Sequence, residues 1–220
     1  MCYYDIHTHR PSTSYPEDIA IVSVDISKPF VPSVLKYSVG IHPWHIDYND
    51  RDTNSHLFEK VREYAQLPSV VAIGETGLDK ITAKTTHDFH VQQTYFTMHI
   101  RLAEEVKKPM IIHCVRAWDE LVHIHQSVNP SVPWVVHGFR GNETLALRLL
   151  NVGFYLSFGL HYHIASLKAA WSKQRLFAET DDNPITIRDV YQQIANDLTI
   201  SVQELKRLLP CSICEGAPRI

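Results

Sequence analysis

Residues 70–113 read VVAIGETGLDKITAKTTHDFHVQQTYFTMHIRLAEEVKKPMIIH, and the order of patterns inside them decides the fold. VVAIG at 70–74 and PMIIH at 109–113 are short apolar runs rich in β-branched residues. Runs that are apolar throughout, without alternation, suit strands buried on both faces. Between them Phe89, Phe96, Ile100, Ala103 and Val106 recur at helical spacing. Strand, amphipathic helix and strand make a βαβ unit, in which the two strands run parallel.

The same alternation extends outward in both directions. Further strand candidates are YYDI at 3–6, IAIVSV at 19–24, YSVGI at 37–41, PWVVH at 133–137, GFYLS at 153–157 and RLFAE at 175–179, giving eight in all. Helical stripes are formed by Leu57, Val61, Tyr64 and Ala65, by Leu145, Leu149 and Leu150, and by Ile187, Val190, Tyr191, Ile194 and Leu198. Ser201 to Glu204 has the capping-box spacing of one last short helix. Eight strands alternating with helices predict an α/β fold of the (β/α)8 TIM-barrel type, as one domain over 1–220. An open doubly wound sheet is the alternative. The segment 5–36 is irregular, so the first units are expected to be short of helix.

Composition narrows the function classes. With 45% hydrophobic and 20% charged residues the chain is an ordinary globular one. A net charge of −3 supplies no general attraction to nucleic acid, so any such contact must be local. There is no signal-peptide pattern and no apolar run of membrane-spanning length, and four scattered cysteines make no disulfide framework. A cytoplasmic protein is expected, with no membrane role and no obligate protein partner. Cys211 and Cys214, in CSIC, read as a tail feature, since no partner pair for a zinc site accompanies them.

Barrel enzymes carry their chemistry on the loops after the strands. Five of the predicted strands lead into metal-type donors: His7 and His9 after the first, Glu75 after the fourth, His113 after the fifth, His137 after the sixth and Asp181 after the eighth. Four imidazoles and two carboxylates suit Zn, Mn, Ni or Fe, whereas Mg alone asks for more oxygen. Six donors exceed one catalytic zinc site, so two divalent ions are expected. Glu75 would bridge them, with His7, His9 and Asp181 on one ion and His113 and His137 on the other. Such a pair suits hydrolysis, especially of phosphate esters, and Asp181 would also serve as general base for the attacking water.

The motifs DIHTH, GIHP, GETGLD, QQTYFTMHIRLAEEVKKP, IIHC, HGFRGN and ETD, in this order and over nearly the whole chain, resemble the TatD family of metal-dependent hydrolases. The resemblance implies a TIM barrel, a dinuclear metal site and deoxyribonuclease activity, often as a 3′ exonuclease. It carries over the same six ligands. Val115 stands where the family usually has Arg, Arg140 where a small polar residue is common, and DNPITI follows ETD in place of an APYL-like stretch. These departures spare the metal donors and touch the substrate side.

Around this set, His42, Arg116 and Arg140 are candidate substrate contacts, the arginines as phosphate clamps. Trp44 is placed to stack on a base or to cover the rim. His45 reads as a loop or surface residue, His161 and His163 as substrate-loop or structural ones, and His87, His90, His99, His123 and His125 as solvated or packing ones. Asp5 either orients a ligand imidazole or stabilises the barrel floor. Three functions follow: a phosphodiesterase acting on DNA ends, a hydrolase of small esters, amides or nucleotides, or a non-enzymatic chain whose metals stabilise the fold.

Overall fold

The computed structural model describes residues 2–10 and 15–209; Cys211 and Cys214 lie outside them. All eight expected strands are present: β1 (Tyr4–Thr8), β2 (Ile19–Asp25), β3 (Lys36–Gly40), β4 (Val70–Asp79), β5 (Met110–Val115), β6 (Trp134–Val136), β7 (Tyr155–Phe158) and β8 (Leu176–Ala178). Their order in the sheet is their order in the chain. The described residues form seven α-helices: α1 (Arg51–Tyr64), α2 (Thr86–Val106), α3 (Trp118–Val128), α4 (Glu143–Val152), α5 (Ile164–Ser172), α6 (Ile187–Leu198) and α7 (Val202–Leu208). Parallel strands in chain order with intervening helices are the (β/α)8 class. Among the described residues no helix intervenes between β1 and β3, where the sequence is irregular.

By their internal contacts the residues divide into two compact units, 1–22 with 135–220, and 23–134. In the first, β1 pairs in parallel with β2, β6 with β7 and β7 with β8, and β1 meets β8 at the Thr8 and Asp181 bridge. Phe139, Phe154, Phe158 and Tyr191 fill its core. In the second, β3 pairs with β4 and β4 with β5. Its core holds Trp134, whose indole packs edge-on against Phe96 and His125.

Helix starts follow capping chemistry. Thr85 and Asp88 close a capping box on α2, Thr186 and Asp189 one on α6, and Ser201 accepts from Glu204 N at the start of α7. By contrast α3 and α5 begin at Ala117 and His163 with no side-chain cap, so neither carries a capping signal in its sequence.

β4 continues past the apolar run through GETGLD to Asp79 and is buried almost throughout. Glycine makes this possible. At Gly77, with φ +153°, an added Cβ would collide with the His113 carbonyl oxygen and lie 2.9 Å from its carbon. β4 and β5 approach too closely there for any side chain.

His99 ties α2 to the end of β3. Its Nδ1 lies 2.7 Å from the Tyr95 carbonyl, and its Nε2 accepts from Ile41 N at 3.0 Å. Those partners fix the neutral tautomer, with the proton on Nδ1. Burial lowers its pKa from 6.5 to about 4, outweighing the Tyr95 hydrogen bond.

Two predictions follow from these contacts. Gly77→Ala should cost roughly 3 kcal/mol or more through overpacking and backbone strain, read as a fall in the denaturation midpoint. Gly159→Ala, where the nearest atom is 3.6 Å away, is the control and should stay within about 0.5 kcal/mol. For His99, the unfolded chain takes up the proton more readily than the folded one, so its contribution is intact above pH 6.5 and lost as pH falls toward 4. Stability should drop by about 1.4 kcal/mol per pH unit in that window, and His99→Gln should flatten the slope; an unchanged slope would refute the assignment.

Candidate functional site

In the unit holding both termini, one donor cluster forms where β1 and β8 end. Asp181 N donates to the His7 carbonyl at 3.0 Å, and His9 N donates to the Asp181 carbonyl at 3.2 Å. Asp181, at φ +53°, is thereby held beside both histidines. Its Oδ1 lies 3.6 Å from His7 Nε2 and 3.7 Å from His9 Nε2. The His7 ring is fully buried, edge-on to His9 at 5.0 Å and tilted against His137 at 4.3 Å between centroids. Donor atoms of His7, His137 and Asp181 all lie within 4.8 Å of one another, as do those of His9, Asp181 and Asp182.

Behind His137 stands Glu179, 1% exposed. Its Oε1 accepts from Gly138 N at 2.6 Å and lies 3.5 Å from His137 Nδ1. Burial works to raise its pKa, but hydrogen bonding and charge from His137, with His7 and Ser157, hold it below the ordinary glutamate value. With a carboxylate anion on Nδ1, Nε2 is the atom by which His137 would hold a metal.

The unit 23–134 has its own cluster. Glu75 Oε1 lies 3.0 Å from His42 Nε2 and 3.1 Å from His113 Nδ1. His42 Nδ1 accepts from Trp44 N at 3.0 Å, so the His42 proton sits on Nε2, facing Glu75. His113 Nε2 lies 3.4 Å from Asp79 Oδ2. Burial would raise the pKa of Asp79, but the Trp44 indole, the Ile81 and Thr82 amides and His113 hold it down. The donor atoms of His42, Glu75 and His113 also lie within 4.8 Å of one another.

The donor set around Asp181 fits a divalent ion by its spacing, and in the other set Glu75 and His113 offer a carboxylate and an imidazole. Two donors bound tetrahedrally at about 2.0–2.1 Å stand about 3.4 Å apart. The 3.6 and 3.7 Å separations at Asp181 match that spacing and are too long for hydrogen bonds. Mixed imidazole and carboxylate donors are those of Zn, Mn, Ni or Fe.

His137, expected beside His113, thus stands with His7 and Asp181. His42 joins the Glu75 and His113 cluster. Two carboxylates of this neighbourhood went unread in the sequence: Asp79, four residues beyond Glu75 on the same strand, and Glu179, two residues before Asp181. The i, i+2 spacing that marked His7 and His9 marks Glu179 and Asp181 equally. Asp5 makes its bonds to backbone and hydroxyl, accepting from Thr180 N at 3.0 Å, Thr180 Oγ1 at 2.6 Å and His7 N at 3.4 Å. Arg116 and Arg140 are exposed, and among the described residues neither is drawn into an ion pair. His45, His161 and His163 are exposed loop or cap residues, while His99 and His125 are packed inside.

A family model described as TatD related DNase matches residues 12–210. An uncharacterized metal-dependent hydrolase of Buchnera aphidicola is 36% identical over 128 residues, which are 57% of this chain and 48% of that protein. The 3′-5′ ssDNA/RNA exonuclease TatD of Pantoea sp. is 32% identical over 171 residues, 73% of this chain and 62% of the relative. The chain therefore spans about half to three-fifths of the length of these two proteins. In fold, a solved TatD homologue of Escherichia coli K12 matches with a TM-score of 0.73 at 21% identity, covering 94% of each chain. The chain belongs to the TatD-related DNase family.

Proposed function

We propose that this chain is a metal-dependent phosphodiesterase that shortens DNA from an end. Its two divalent ions are assigned to His7, His9, His137 and Asp181 in one unit and to Glu75 and His113 in the other. The observation carrying this reading is that imidazole and carboxylate donors gather at strand ends in both units of a chain of this family. The exonuclease name of the Pantoea relative supports the substrate class.

A divalent ion polarises phosphoryl oxygens and lowers the pKa of water it binds. The residues do the rest. Asp181, 26% exposed, is an accessible carboxylate of its cluster and, with Oδ1 turned to His7 and His9, accepts the proton of the attacking water at Oδ2. Glu179 holds His137 in one orientation through Nδ1. His42, whose Nε2 proton faces Glu75, lines the substrate side of that carboxylate, and the exposed guanidinium groups of Arg116 and Arg140 clamp the backbone. Among the described residues no helix is long and apolar enough to cross a membrane, and we assign the reaction to the cytoplasm.

A hydrolase of small esters, amides or nucleotides is the second reading, favoured by the net charge of −3. One assay separates them. The metal-loaded chain should shorten 5′-labelled single-stranded DNA stepwise, and Asp181→Asn should slow it about 10²–10⁴-fold. Intact DNA with turnover of small phosphodiesters or esters selects the second reading; turnover of neither rejects both. Metal analysis of the loaded chain should give two ions, with His7→Ala and His113→Ala each losing one. Saturation at a single ion with all ligands intact would count against the two-ion assignment.

A further inference from the structure

We infer that Trp44 is a stacking platform for a nucleobase of the substrate, held at a fixed orientation by Asp79. This rests on the nucleic-acid reading above and adds how the base is gripped.

Trp44 is 64% exposed, although its ring is among the largest apolar surfaces a residue can carry. It is nevertheless not loose. Pro43 opens a short 3-10 turn, Pro43–His45, and Trp44 N donates to His42 Nδ1, which fixes the backbone. The side chain is fixed as well, because indole Nε1 donates to Asp79 Oδ2 at 2.7 Å.

Asp79 is itself immobilised. It is 2% exposed; its Oδ1 accepts from Ile81 N at 2.7 Å and Thr82 N at 3.3 Å. Fully buried Gln92 accepts from Asp79 N at 2.8 Å and donates to Asp79 O at 3.1 Å. Gln92 also donates to Tyr48 Oη at 2.8 Å.

The usual arrangement of a half-buried tryptophan is thus inverted. Its one polar atom is spent inside the protein and its hydrocarbon faces water. A ring tied in this way loses little further freedom when a second ring settles on it.

The location names the occupant. Trp44 packs at 5.0 Å and 80° to His42, and at 6.0 Å and 75° to His113, measured between centroids. The carboxylate oxygen that anchors the indole is also the one beside His113 Nε2. A planar group on Trp44 therefore lies one side chain from residues proposed to handle a phosphate. The group that carries both a planar aromatic ring and a phosphate is a nucleotide. Stacking also supplies what the charge of −3 withholds, because it holds a base without neutralising the backbone.

The intact chain can be titrated with 2′-deoxyadenosine 5′-monophosphate and with deoxyribose 5-phosphate, followed by calorimetry and indole emission. Four tryptophans contribute, so the Trp44 signal is taken as the difference from Trp44→Leu. The nucleotide should bind and quench; the sugar phosphate should not quench. Trp44→Leu should bind the nucleotide about 5- to 150-fold more weakly, with Trp44→Phe, which keeps a ring but loses the tie to Asp79, in between. Thermal unfolding confirms that the variants are folded. Equal nucleotide affinity in wild type and folded Trp44→Leu overturns the inference, and so does absence of nucleotide binding by the wild type. With DNA as substrate, Trp44→Leu should raise KM more than it lowers kcat, and an unchanged KM likewise overturns it. Nucleotide binding that needs Trp44, in a chain that leaves DNA intact, upholds the platform and rejects the nuclease reading alone.

Discussion

The Asp181 N–H on the His7 carbonyl and the His9 N–H on the Asp181 carbonyl are two ordinary backbone hydrogen bonds on which much else depends. They join the first strand of the chain to the turn after the last. Because one of them flanks His7 and the other His9, they also fix the spacing of three side-chain donors. The Asp5 carboxylate reinforces the same seam through Thr180, whose hydroxyl oxygen also lies 2.9 Å from Thr8 Oγ1. Seam and donor cluster are one construction, so a change that loosens either disturbs both.

Most of the fold was legible because buried parallel strands are written as uninterrupted apolar runs, and all eight runs became strands. What escaped has physical reasons. Helices α3 and α5 lack capping side chains, and α3 turns His125 inward, where the pattern expects an aliphatic residue. The second half of β4 is hidden because Glu75, Thr76 and Asp79 are polar and Gly74 and Gly77 are poor strand formers, yet the close approach to β5 requires those glycines.

The site was legible in its residue types and less so in its grouping. Strand-end donors stand out in a sequence, but which of them face each other depends on strand neighbours. His137 joined His7 because their strands belong to one unit, and His42 joined Glu75 because β3 lies beside β4. Glu179 and Asp79 escaped because their work is indirect. One holds an imidazole, the other an imidazole and an indole, and neither role has a motif of its own.

The division of the chain into 23–134 and the two flanking stretches has a consequence for how the molecule is made. Every residue of the Glu75 and His113 cluster belongs to a contiguous segment, so its partners are all available to a growing chain once Trp134 has been added. The His7 cluster is different. Its members lie far apart in sequence, and Thr8 meets Asp181 across 173 positions. Closing so wide a loop carries a larger entropic cost than any local contact. During synthesis His137 and Asp181 are added long after His7 and His9, so the residues of one cluster are all present before those of the other.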